Sequence, residues 1–307
     1  MNIFFTNTRN RFIPHEYKRN LTELSSIGIN TIYIVTFFQC RDEFHDSVYA
    51  GENTVSTSTI RLIIDLTRDA GIEPILKPHV NPDNKVPRHC MEPDDPKRWI
   101  ELYGSLLIEY AELSAEYDLN AFVIGTELDN IVDSPWFRER LLGDVRDVYD
   151  GELIYAASFD HFLSTSIWDH VDAVGVNAYF NMCRAESCPR SELVESWNYW
   201  LNLLDRFSVS KGKPVYITEI GYYSRKGCAI NPGDWTRKSE ICFEEQAKAY
   251  EALLCQAGGF DSIEGIFWWQ WELNNAWNND SADYTPKDKP AEAVIEKYWG
   301  DWACESR

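Results

Sequence analysis

The chain has 307 residues, with 29 Lys and Arg against 49 Asp and Glu, a formal charge of −20. That length suits one large α/β barrel or two ordinary domains, and 44% hydrophobic with 14% aromatic residues is ample for a sizeable core. So acidic a composition argues against partners that need basic patches, nucleic acid and anionic membrane. It leaves a neutral or cationic partner, or simply a solvated exterior.

The opening stretch MNIFFTNTRNRF lacks a basic region followed by the apolar segment of a signal peptide. No apolar run approaches the ~18 residues of a membrane span. The expectation is a cytoplasmic chain as written, secreted only if a leader has been removed. Apolar, β-branched runs then alternate with helical patterns. The runs are Asn2–Thr6, Thr31–Thr36, Glu73–Lys77, Ala121–Gly125, Leu153–Ala157, Ala173–Asn177, Val215–Thr218 and Gly265–Trp269. The amphipathic stretches are His15–Ile27, Thr57–Ala70, one opening at Asp94-Asp95-Pro96, Trp136–Tyr149, Glu192–Phe207, Glu240–Gln256 and Lys289–Trp299. In the third of these, an N-cap and a first-turn Pro precede Trp99, Tyr103, Leu106, Tyr110 and Leu113 at helical spacing. Gly28 and Gly71 follow two of the helices as stop signals and lead directly into strands.

This rhythm predicts βα units with parallel strands. Eight strands in this length predict a single-domain (β/α)8 TIM barrel over residues 1–307, with an open doubly wound sheet as the alternative. No GxGxxG or GxxxxGK[ST] follows any strand, which weakens a nucleotide-binding version of the open sheet. Eight cysteines stand at 40, 90, 183, 188, 228, 242, 255 and 304, none in a CxxC pair. Cys183 with Cys188 and Cys228 with Cys242 are candidate disulfides in apparent loops, with free thiols as the other possibility.

In a barrel the chemistry belongs at the carboxyl ends of the strands. The third run ends in Lys77-Pro78-His79-Val80-Asn81, the fourth in Thr126-Glu127, and the fifth in Ser158-Phe159-Asp160. The sixth ends in Asn177-Ala178-Tyr179, the seventh in Thr218-Glu219, and the eighth reads Phe267-Trp268-Trp269-Gln270-Trp271-Glu272. Glu127 and Glu219 thus hold equivalent places on strands four and seven. Two carboxylates on one pocket are what glycoside hydrolysis needs: one protonates the leaving oxygen, and the other attacks the anomeric carbon or activates water. Trp269 and Trp271 share parity with Phe267, so sugar stacking competes with core packing for them, whereas Trp268 is expected in the core. His79 and Asn81, at a strand mouth, are candidate pocket residues, as is Asp160. Tyr179 is a candidate donor to Glu219. Lys77 fits an ion pair inside the barrel.

The segments KPHVN, FVIGTELDN, YAASFD, DAVGVNAYF, PVYITEIGYYSR, GIFWWQWE and DYTPKDKPAEAVIEKYW run in order over nearly the whole chain. Together they resemble glycoside hydrolase family 113, a family of retaining (β/α)8 glycosidases known for endo-β-1,4-mannanase activity. The resemblance implies Glu127, in GTEL, as acid/base and Glu219, in TEIGY, as nucleophile. It implies His79, Asn177, Tyr179 and a strand-eight Trp around the sugar, and Arg88, in VPRHC, near the substrate. Ser158 and Phe159 stand where that family often has Asn and Trp, and Asn81 where Asp is common.

The reading is therefore a retaining endo-β-glycanase, foremost a β-mannanase on mannan, glucomannan or manno-oligosaccharides, using no metal and no organic cofactor. Its rivals are a glycosidase or transglycosylase on another β-linked glycan and a non-hydrolytic carbohydrate-binding barrel. A metal-dependent hydrolase ranks lower, since His79 is the only histidine in the strand-end motifs. Retention requires carboxyl groups ~5–5.5 Å apart, against ~6.5–9.5 Å for inversion, and the shorter separation is expected.

Overall fold

The computed structural model describes residues 1–7, 11–273 and 282–300; Cys304 lies outside them. The strands are β1 (Asn2–Phe4), β2 (Thr31–Cys40), β3 (Val48–Tyr49), β4 (Glu73–Pro82), β5 (Ala121–Thr126), β6 (Glu152–Ser158), β7 (Ala173–Asn177), β8 (Val215–Ile220) and β9 (Ile263–Trp268). All pair in parallel in the order β1-β2-β4-β5-β6-β7-β8-β9, except the short β3, which runs antiparallel against the top of β2. The helices are α1 (Pro14–Ser26), α2 (Thr57–Asp69), α3 (Pro96–Glu116), α4 (Leu142–Arg146), α5 (Arg190–Lys211), α6 (Phe243–Ala257) and α7 (Pro290–Ile295). The fold is a (β/α)8 barrel.

Local chemistry explains the boundaries. The Asp95 carboxylate accepts from the Arg98 N–H at 3.0 Å and starts α3, and Ser56 does the same for the Thr59 N–H at 3.2 Å in α2. Gly28 (φ 85°) and Gly71 (φ 73°) stop α1 and α2 in the left-handed region. The expected helix over 136–149 is a wide turn, Trp136–Leu141, running into the short α4. Between β6 and β7 there is only a 3₁₀ turn at Ile167–Asp169.

Two strands are longer than the sequence predicts. β2 and β4 pair over ten positions, from Thr31↔Glu73 to Cys40↔Pro82, so they rise above the rim. β4 carries Pro74, Pro78 and Pro82, all of one parity. The N–H groups of Glu73 and Asp83, of the opposite parity, donate to the β2 side. The prolines therefore face β5, where pairing reduces to one position, Leu76↔Phe122.

The core has two layers. An outer one fills the space between strands and helices, and an inner one inside the barrel includes Phe4, Tyr33, Val35, Ile75, Val123, Ile154 and Phe267. Tyr33 and Phe267 stack at 3.7 Å near its centre. β1 and β9 meet through Asn2: its carbonyl accepts from the Trp271 N–H at 3.0 Å. Its side-chain amide donates to the carbonyls of Thr218 (3.0 Å), Phe267 (3.3 Å) and Trp268 (3.4 Å). Above this apolar plug the barrel turns polar, and the site begins.

Candidate active site

Glu219 reaches the barrel axis by a register slip. Ile217 points outward into the helix-side core, so alternation would turn Thr218 in and Glu219 out. Val176 pairs with Ile217, yet the next residue, Asn177, pairs with Glu219, so β8 carries an extra residue there. Such a bulge re-aims the side chain that follows it. Glu219 is 3% exposed. One carboxylate oxygen, Oε1, accepts from Lys77 Nζ at 2.5 Å, and the other, Oε2, from the Tyr179 hydroxyl at 3.1 Å.

Glu127 sits just beyond β5 with φ at 52°, a left-handed conformation that a non-glycine residue adopts at a cost of about 1–2 kcal/mol. Its N–H donates to the Ala156 carbonyl at 2.8 Å, and the next N–H, of Leu128, donates to the Tyr155 hydroxyl at 2.9 Å. These bonds hold the turn that presents the carboxylate. Asn177 Nδ2 donates to Glu127 Oε1 at 2.9 Å, while Asn177 Oδ1 accepts from the Thr218 hydroxyl at 2.9 Å. The Thr218 hydroxyl thereby fixes which way the amide faces. Asn177 is bonded to one carboxylate and in register with the residue that carries the other.

Arg88 lies on a 3₁₀ turn, Arg88–Cys90. Asn130 Nδ2 donates to the His89 carbonyl at 3.0 Å and ties that turn to the loop after β5. The guanidinium is 3.9 Å from Glu127 Oε2, donates to Asn81 Oδ1 at 3.3 Å, and lies 3.1 Å from His79 Nδ1. Arginine only donates, so Nδ1 accepts and the proton sits on Nε2, which faces Glu219 Oε1 at 3.5 Å. Burial, then the charges of Arg88 and Lys77, hold the His79 pKa well below its ordinary value. His79 is therefore neutral, its buried Nε2–H near Glu219 without a formed hydrogen bond, and not the cationic half of an ion pair. Burial also drives the Tyr179 hydroxyl well above its ordinary range, reinforced by the charge of Glu219, so it stays a donor.

Trp269 stands half-buried at the mouth, parallel to the His79 ring at 5.8 Å. The expectation for Trp271 is corrected. It is fully buried, its indole N–H donates to Asn20 Oδ1 at 2.8 Å, and the Lys287 ammonium lies 5.4 Å over its ring. β9 ends at Trp268, so strand parity does not carry through to Trp271. Trp268 stacks on Tyr250 of α6 at 3.9 Å, as core packing predicts. Asp160 is on the exposed rim beyond β6, while Phe159 packs on Phe180 at 5.9 Å.

The structure thus gathers Glu127, Glu219, His79, Asn81, Arg88, Asn177, Tyr179 and Trp269, leaves Asp160 at the edge, and takes Trp271 away. Sequence reasoning missed Asn2 and Thr218. A polar residue inside the first strand and the parity of Thr218 were the available signals. Cys183 and Cys188 are joined, with S–S at 2.08 Å. Cys228 and Cys242 are free: the former is buried, and the latter points its thiol at Glu244 at 3.6 Å. Among the described residues no helix is long and apolar enough to cross a membrane.

A model of Glycoside Hydrolase Family 113 matches residues 1–289. A β-1,4-mannanase of that family, solved as a complex, superposes with a TM-score of 0.85 at 21% identity, over 98% of this chain and 97% of that one. The family's β-mannanase AaManA from Alicyclobacillus acidocaldarius, solved with ManMIm, gives 0.82 at 21% identity, over 93% and 91% of the two chains. A β-glucuronidase from Ruminococcus gnavus gives 0.65 at 12% identity, covering 94% of this chain and 47% of that one. Identities this low carry the fold and not the substrate. No protein of curated function matches the sequence.

Proposed function

The chain belongs to Glycoside Hydrolase Family 113 and is a glycoside hydrolase, and from that premise we propose a retaining endo-β-1,4-mannanase with Glu219 as nucleophile and Glu127 as acid/base. In the first step a Glu219 oxygen bonds to the anomeric carbon while the glycosidic C–O bond breaks. Glu127 gives its proton to the departing oxygen. In the second step Glu127, now ionised, takes a proton from water. The water oxygen displaces the ester, and the electron pair returns to Glu219.

The observation that carries this reading is the unlike housing of two carboxylates at one barrel mouth. Glu219 is buried against an ammonium and a phenol, as an attacking carboxylate requires. Glu127 has a partly exposed side chain, 19%, and is held by the Asn177 amide with Arg88 at its edge. It can therefore exchange protons with a leaving group and with water. Trp269 offers the flat apolar face on which a pyranose stacks. Mannan as the substrate draws its support from the β-1,4-mannanases whose fold the chain shares.

A panel of mannan, glucomannan, galactomannan, cellulose and xylan, with product lengths resolved, tests the substrate. Preference for the mannans with internal cleavage is expected; xylan or cellulose as the best substrate would overturn it. Proton NMR of the first product should show the β-anomer. Glu127→Ala should regain turnover of an activated aryl glycoside with azide, and Glu219→Ala should not. An initial α-anomer would sink the assignment of Glu219.

A further inference from the structure

We propose that Lys77 is a positioning residue for both chemical steps: its ammonium holds Glu219 for attack and then, deprived of its contact anion, drives the carboxylate off the glycosyl-enzyme. The inference rests on reading Glu219 as the nucleophile.

The geometry is that of a buried pair. Lys77 is 0% exposed, and its Nζ lies 2.5 Å from Glu219 Oε1. Its other close contacts are neutral and longer, Asn2 Oδ1 at 3.4 Å, the Thr218 carbonyl at 3.3 Å and the Tyr33 ring at 5.3 Å, while the charges of Arg88 and Glu127 act on it from farther off. With Oε1 taken by the ammonium, Oε2, bonded to the Tyr179 hydroxyl, is the oxygen that attacks. When Oε2 bonds to the anomeric carbon and the glycosidic bond breaks, the negative charge of Glu219 is consumed. Oε1 becomes the carbonyl oxygen of an ester, and Lys77 is left a buried cation whose direct contacts are dipoles, with ionised Glu127 as its nearest remaining anion. A buried cation that loses its contact anion is destabilised, and burial already works against the charged lysine here, opposed chiefly by Glu219 and less by Glu127. The strain falls on the intermediate. It is relieved when water attacks the anomeric carbon, the C–Oε2 bond breaks, and the returning charge spreads onto Oε1 beside Nζ. Lys77 therefore shortens the lifetime of the intermediate by making Glu219 a better leaving group, while in the first step its role is to aim the carboxylate.

The test uses Lys77→Met and Lys77→Gln, both uncharged, with Lys77→Arg as the charge-keeping control, and an activated aryl glycoside of whichever glycan the wild type cleaves. In the uncharged variants deglycosylation should become limiting. One equivalent of phenol is released in a burst, and kcat falls at least 100-fold with KM falling alongside it; Lys77→Arg recovers part of the loss. The other groups facing this pair are His79 on β4, Tyr33 on β2, Tyr179 after β7, Arg88 and Glu127 above, and the Met1 amine below. All of them are unchanged in the variants. A folded Lys77→Gln protein with no burst and an unchanged KM would overturn the proposal. Inversion of configuration by the wild type would instead remove the reading of Glu219 itself, so the two failures are separable. If Lys77→Met does not fold, Lys77→Gln, which keeps a buried donor, carries the measurement.

Discussion

Trp269 and Trp271 stand two residues apart and have opposite fates. Trp269 lies parallel to His79 at the mouth of the barrel, whereas Trp271 is sealed against Asn20 and Lys287. Trp269→Ala is therefore expected to lower kcat/KM by about 1–3 kcal/mol, roughly five- to 160-fold, the range for ring stacking. Its melting temperature should change little. Trp271→Ala should do the reverse, costing about 3–5 kcal/mol of stability as a large core side chain. Thermal unfolding and steady-state kinetics on both variants check this pairing; a stable, slow Trp271→Ala enzyme would refute it. His79 gives a second residue-level expectation. Its pKa is lowered in the fold, so as pH falls the unfolded chain takes up the proton first. The stability His79 contributes is fully present above about pH 6.5, its unfolded value, and is lost below it. Melting temperature followed from pH ~7 down to ~5 should fall in the wild type and fall less in His79→Asn.

At the scale of the element, β8 is the part that makes the site. Its extra residue turns both Thr218 and Glu219 inward, where strict alternation would allow only one. One aims the Asn177 amide and the other is the carboxylate itself. Gly221 directly follows the last residue of the strand. Its constraint is contact: a Cβ there would lie 1.9 Å from the Trp269 carbonyl. Gly221→Ala must push apart the end of β8 and the residue bearing the stacking indole. A loss of about 1–3 kcal/mol in stability is expected, as for overpacking elsewhere. KM should rise as Trp269 is displaced. Urea unfolding with kinetics would detect both, and wild-type values of both would mean that the two segments are not held against each other.

For the whole molecule, closure of the barrel is the property that holds the site together. β1 contributes only three residues, and the Asn2 side chain spans to three carbonyls of β8 and β9 and also accepts from Lys77. Asn2→Ala would leave buried carbonyls without a donor at about 1–3 kcal/mol for each group left unsatisfied. A fall of several degrees in melting temperature is expected. Activity should decline as well, because the Thr218 carbonyl and the Lys77 ammonium both lean on that amide. Asn2→Asp, which keeps the size and loses the donor, should behave alike; unchanged melting of both variants would show that the seam is closed by other contacts.

The sequence by itself determined the architecture and the two carboxylates. Alternating apolar runs and amphipathic helices repeat often enough that small errors at each boundary do not disturb the count of eight. Glu127 and Glu219 stand out because acids at the ends of buried strands need a reason to be there. Motif order also identified the family, and with it His79, Asn177, Tyr179 and Arg88 as neighbours. What only the tertiary structure decided depends on contacts between residues far apart in the chain. The inward turn of Glu219 comes from a register slip against β7, which no local pattern encodes. The burial of Trp271 follows from where β9 ends and from Asn20 on α1, more than 250 positions away. The neutral state of His79 and the pairing of Lys77 follow from which charges are brought together under low solvation, a property of the assembled barrel and not of any one of its strands.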